Sequence, residues 1–164
     1  MSGTSPSPLD SFSLTAALGR PGGELARRHE VLWHSLWQQP HVSAQILELC
    51  RLRLAQLHGA TRELAVEPPA GLCAGLDAGK RAILLSGNWT RDARLSAAER
   101  AALEFAEVYG QDPGAITDEL AAAVKAHFSD AGLVALIEAL GVIDGRIRLG
   151  MMIGELLPPG GSHG

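Results

Sequence analysis

From about Glu24 to Leu157 the chain sets its apolar residues at three- and four-residue intervals, and no run alternates with period two. Ala, Leu, Glu and Arg dominate this stretch, and runs of β-branched residues are missing. Such a sequence favours helix throughout and offers little to a sheet. A first amphipathic helix is predicted from about Glu24 to Gln39, stopped by Pro40, with Leu25, Leu32, Leu36 and the Trp33/Trp37 pair on its apolar face. A second runs from about Val42 to Leu57 with Ile46, Leu49, Cys50, Leu54 and Leu57 inward, and Gly59 is its stop or kink. Ala60–Glu67 can open a further helix, which Pro68–Pro69 ends. Asp77–Ser86 reads as a short helical segment, and Gly87–Leu95 as a loop holding Trp89.

Ser96-Ala-Ala-Glu99 is a capping box, in which Ser96 accepts from the third amide while Glu99 reaches back to the cap. The helix it opens is expected over about Ala97–Tyr109, ending at Gly110. Another is expected from Thr117 to Phe128, and Ser129 then caps a long final helix to about Leu157. About seven helices joined by short connections specify an all-α bundle. Residues 21–157 form one all-α domain in this reading. Residues 1–20 and 158–164, rich in Ser, Pro and Gly toward the two ends, are expected to be flexible.

Composition narrows the function. The chain has 164 residues, 46% hydrophobic and 20% charged, enough for one proper core. Its net charge of −4 gives no basic excess to attract nucleic acid or an anionic membrane. Aromatic residues at 4% are too few for base-stacking platforms. Two cysteines, Cys50 and Cys73, make neither a disulfide framework nor a thiolate metal site. The longest apolar stretch, Leu133–Ile153, is interrupted by Glu138, Asp144, Arg146 and Arg148, which a membrane span tolerates poorly. With no signal-peptide pattern at the N-terminus, the expectation is a soluble cytoplasmic protein with no membrane and no nucleic-acid partner.

The segment Glu48–Glu67 is the densest in reactive groups, with Glu48, Arg51, Arg53, Gln56, His58, Arg62, Glu63 and Glu67. In one unbroken helix Glu48 and Glu63 would lie roughly 22 Å apart. A break at His58–Gly59 lets Glu63 fold back toward Glu48. Two neighbouring carboxylates can then share one proton, which is acid/base equipment. The alternative is a solvated face of charge pairs at four-residue spacing.

The run Glu48-Leu-Cys-Arg-Leu-Arg53-Leu-Ala-Gln56-Leu-His-Gly59 resembles the signature of the carboxymuconolactone decarboxylase / alkyl hydroperoxidase D-like family. Ser96-Ala-Ala-Glu-Arg-Ala-Ala-Leu-Glu-Phe-Ala106 resembles that family's following helix, and His127-Phe-Ser129 its next element. The resemblance spans about Arg28–Leu149 and implies an alkyl hydroperoxidase D-like helical bundle that assembles as homo-oligomers, trimers or hexamers. Thiol members carry Cys-x-x-Cys and a His where this chain has Ala60, Glu63 and Glu67. Without those thiols, dithiol peroxide reduction is not expected. Glu48 matches the family's relay glutamate, so the resemblance implies that it faces the site.

The expected function is therefore a non-redox enzyme, of lyase, decarboxylase or isomerase type, acting on a small organic substrate. Glu48 and Glu63 are its candidate acid/base pair, assisted by His58 and Glu67. Arg148 and Arg146 are candidates to clamp a substrate carboxylate, and Trp89 to cover it as a lid. No cofactor and no resident metal are expected. The alternative is a catalytically inactive oligomeric binding or scaffold protein that kept the fold and lost the site.

Overall fold

The computed structural model describes residues 23–66 and 76–156, with side chains through Ile153. The readings that fall on Glu67, Pro68–Pro69, Cys73 and the two chain ends lie outside the described residues. What is described is helical, with no strand among those residues. Six α-helices follow in order: α1 Gly23–Gln38, α2 Ala44–Leu57, α3 Thr61–Leu64, α4 Ala78–Leu85, α5 Ala97–Gln111 and α6 Asp118–Leu156. Short 3₁₀ turns at Trp89–Arg91 and Pro113–Ala115 join the later ones.

Helix α2 is the centre of the bundle and packs against α3, α4, α5 and α6. Ser43 caps its start by accepting from the Ile46 amide. The sequence marks out one apolar face here, whereas the structure buries every residue from Ile46 to Leu52. A helix can be enclosed on all sides only if its charged residues find partners inside. The main core joins Trp33, Trp37, Leu47, Cys50, Leu54, Phe105, Leu136, Leu140 and Ile143. A second cluster of Leu49, Leu52, Leu84, Trp89, Leu95 and Leu103 fills the other side of α2. Trp33 and Trp37 meet edge to face with ring centroids 5.2 Å apart, a geometry that adds about 1 kcal/mol to area burial.

The Ser96/Glu99 capping box forms as the sequence indicates. Glu99 accepts from the Ser96 amide at 2.7 Å and from Lys80 Nζ at 2.7 Å, tying α4 to the start of α5. Gly110 does not end α5, which continues to Gln111. A Cβ at this position would stand 2.6 Å from Leu54 Cδ2, so Gly110 is where α5 approaches α2 closely rather than a stop. The apolar face expected on α1 is wider than the one the chain buries. Trp33, Leu36 and Trp37 are inside, but Leu25 and Leu32 are 75% and 50% exposed.

Helix α6 is broken at Ser129, whose φ of 68° and ψ of 178° are not helical. A non-glycine residue in this region stores about 1–3 kcal/mol of strain. The Ser129 hydroxyl accepts from the Gly132 amide at 3.4 Å, a weak cap for the half that follows. Gly132 lies against Phe128, and a Cβ there would come within 2.5 Å of Phe128 Cβ. The two positions predict opposite signs. Ser129→Gly relieves the strain and raises stability by about 1 kcal/mol. Gly132→Ala overpacks the junction and lowers it by about 1–3 kcal/mol. Urea unfolding followed by circular dichroism measures both.

Candidate functional site

The end of α2 decides what the reactive segment can do. His58 is the C-cap, and Gly59 follows with φ of 65°. The Gly59 amide donates to Gln56 O at 3.0 Å and the Ala60 amide to Ala55 O at 2.8 Å. This is the Schellman arrangement, which needs a left-handed residue where Gly59 stands. The chain therefore turns back, and the short helix α3 carries Glu63 to the side of Arg51.

Glu48 and Arg51 lie three residues apart on α2, close enough to pair along one face. Both are buried, Arg51 completely. The guanidinium sits between the two carboxylates. Nε and Nη2 of Arg51 donate to Oε2 and Oε1 of Glu48, both at 2.7 Å. Nη1 donates to Oε1 and to the backbone oxygen of Glu63, both at 2.7 Å, and Nη2 also reaches the Val66 carbonyl at 2.8 Å. A guanidinium has five N–H groups, and these five bonds use them all. Burial pushes the Arg51 pKa down, but Glu48 and Glu63 more than offset that and hold it above the usual value. Arg81 from α4 adds a second cation, with Nη1 3.8 Å from Glu48 Oε1, and donates to the Leu64 carbonyl. Two carboxylates face two guanidinium groups, so the cluster is close to neutral.

The expected pairing of Glu48 with Glu63 thus exists in space, but as a salt-bridged cluster around Arg51. The solvated-face alternative does not hold for Glu48, which is inside the bundle. A carboxylate whose two oxygens both accept from a fixed guanidinium is locked in position as part of a structural pair.

The other candidates are placed elsewhere. His58 Nε2 is 2.5 Å from Asp144 Oδ1 on α6, and Arg148 Nε donates to Asp144 Oδ2 at 2.7 Å. His58 and Arg148 are therefore brought together through Asp144, which the sequence marks only as a charge interrupting an apolar stretch. Burial and the nearby Asp144 charge push the Tyr109 phenol up. His58 lies about two helical turns from Arg51, roughly 10 Å along α2. Arg146 points the other way, pairing with Glu30 at 3.1 Å and covering the Trp33 ring at 4.5 Å. Trp89 is no lid. It is 2% exposed in the second core cluster, because its large apolar ring is worth more buried among leucines than over an opening. Glu67 lies outside the described residues. Among the described residues no three His, Cys, Asp or Glu side chains converge as a metal site would require.

Cys50 is buried with Sγ 3.7 Å from Ala102 O, and burial pushes its thiol up to about 12. It is a thiol and not a thiolate at neutral pH, the opposite of what peroxide attack needs. Sequence reasoning missed the central role of Arg51 and the partnership of Arg81 with Glu48. The Glu48/Arg51 spacing was the available signal for the first. Nothing local signals Arg81, thirty-three residues from Glu48 in the chain.

No family model, curated protein or solved structure matches this chain.

Two outcomes follow from this geometry. Arg51→Met leaves the Glu48 carboxylate buried with only the distant Arg81 guanidinium for a partner and lowers stability by about 3 kcal/mol. Arg51→Lys, with three donors in place of five, recovers less than half of that. Denaturant titration of the three proteins tests both values. The native protein at pH 8 should also leave the Cys50 peptide unmodified by iodoacetamide, and unfolding should expose it; peptide mass mapping reads this directly.

Proposed function

We propose that the protein is a non-catalytic, self-associating helical module, a binding or scaffold protein, in which Glu48, Arg51 and Glu63 form a structural clamp. One observation carries this reading: all five donors of the buried Arg51 are taken by Glu48, Glu63 and Val66. A catalytic carboxylate has to exchange a proton with a substrate, and Glu48 is already held on both oxygens. In the same proposal the fold is of the alkyl hydroperoxidase D-like type, with the lost thiol site at Ala60 and Glu63. Counting the break at Ser129 as a boundary makes seven helical segments, which supports that assignment. Homo-oligomeric assembly, as trimers or hexamers, and a cytoplasmic location belong to the same reading.

The sign of a stability change tests it. Catalytic groups are commonly placed at a cost to stability, so neutralising them often stabilises the fold. A structural clamp behaves in the opposite way. Glu48→Gln should lower stability by about 2–3 kcal/mol, which is a fall of roughly 5–10 °C in Tm for a chain of this size. An unchanged or raised Tm would overturn the proposal.

The second reading is an acid/base enzyme on a small carboxylated or hydroxylated metabolite. A specific observation favours it: the partly exposed His58 is oriented by Asp144, as a general base commonly is, and Arg148 stands beside them as a carboxylate anchor. Glu48 and Glu63 then support the site without exchanging protons. An NMR titration with a panel of small carboxylic and hydroxy acids distinguishes the two. Saturable shifts confined to His58, Asp144 and Arg148 support the enzyme, and their absence supports the module.

A further inference from the structure

The exposed apolar side chains are not scattered. Leu25, Val31, Leu32, Val134, Ile137 and Met152 are the large ones exposed among the described residues, and all belong to α1 or to the second half of α6. In α6 an apolar window long enough to cross a membrane is only 33% buried inside the protein. A helix apolar on all sides is expected to be enclosed on all sides, so this face is incomplete in a single chain.

Between α1 and α6 lies a hollow of about 290 Å³. Leu32, Leu36, Ala139 and Val142 line it, with Gln39 and Glu138. The two helices run antiparallel: Glu30 pairs with Arg146, whereas Gln39 shares the hollow with Glu138. Leu25, Arg28, Leu32 and Ser35 follow at three- and four-residue steps and so share one face of α1, with Gln39 just beyond its end. Arg28 is largely exposed, and among the described residues its ion pair is with Glu24 on its own helix. Glu138 makes no ion pair among the described residues.

A two-fold axis can be placed across α1 so that these positions meet. Along α1, Arg28 and the level of Glu138, near Gln39, are separated by roughly 16 Å. An axis midway between them passes near Trp33 and His34, about 2 Å from the level of Leu32. Rotation about it sets Arg28 of each copy opposite the partner's Glu138, and Leu32 of each opposite the partner's hollow. We propose that a second copy of this chain docks here in a two-fold dimer, each Leu32 entering the partner's α1–α6 hollow and each Arg28 pairing with the partner's Glu138. The inference rests on the self-association proposed above and names its surface. A lipid surface fits less well, because it would desolvate Arg28 and Glu138 without pairing them. A two-fold contact suits a dimer or a hexamer built from dimers and does not close a plain trimer.

Sedimentation equilibrium of the full chain and four variants tests this, with circular dichroism verifying that each is folded. The wild type should be a dimer or an even multiple. Leu32→Glu, at a half-exposed position that the fold does not need, should weaken association at least about tenfold. Arg28→Glu and Glu138→Arg should each weaken it by about tenfold, and the double exchange should restore it to within about threefold of wild type. An oligomer indifferent to Leu32→Glu, or a double exchange that fails to rescue, overturns this surface while leaving self-association standing. A monomeric wild type overturns both. A monomer that instead co-sediments with phosphatidylcholine vesicles through Leu32 overturns the dimer in favour of a lipid surface.

Discussion

A guanidinium in the middle of a helical bundle has to be neutralised and fully hydrogen-bonded, and Arg51 imposes that requirement on everything around it. Its ion pair with Glu48 lets α2 be enclosed on all sides. Its bonds to Glu63 and to the Glu63 and Val66 carbonyls hold the returning segment against the helix it has just left. Arg81 brings α4 to the same cluster. Replacing such a network with apolar residues of similar shape costs little in principle, whereas removing one member leaves a buried charge alone. The clamp therefore specifies which segments meet more than it adds net stability.

Two backbone breaks set the directions of the chain, one for the clamp and one for the surface. Gly59 takes the left-handed conformation that turns the chain after α2, and without that turn Glu63 would continue away from Glu48. Ser129 breaks α6 in a conformation that L-residues avoid, and Gly132 leaves room for Phe128 beside the break. Past this point α6 lies along α1, presents Asp144 to His58 and leaves an apolar flank uncovered. The candidate dyad and the exposed surface both depend on the direction α6 takes there.

Function follows from where charge is satisfied and where apolar surface is not. Of the carboxylates best placed by motif for chemistry, Glu48 is bonded on both oxygens and Glu63 on one, and the Cys50 thiol is buried and protonated. Left open are the exposed leucines, valines, isoleucine and methionine of α1 and α6, with Glu138, which makes no ion pair among the described residues, beside them. The proposed association surface uses the exposed apolar flank, and among the described residues the His58–Asp144 pair retains the form of a reactive site.

Helix existence and approximate limits were legible because periodicity, Pro40, Gly59 and the Ser96/Glu99 box are local signals that act within a few residues. Those features also determined the all-α class. The density of reactive groups in Glu48–Glu67 directed attention to Glu48 and Glu63, and the break at Gly59 was visible as the condition for bringing them together. What the residues alone did not disclose was the occupant of the space between them, since the i,i+3 pairing of Glu48 and Arg51 looks the same on a solvated face as in a core. Nor could Trp89 be told from a lid, or Leu32 from Leu36, because one face of an amphipathic helix does not say how much of itself a neighbour will cover. Burial, the fivefold use of Arg51, and the junction of His58 with Asp144 eighty-six residues away are properties of packing, decided only when distant helices compete for the same surface.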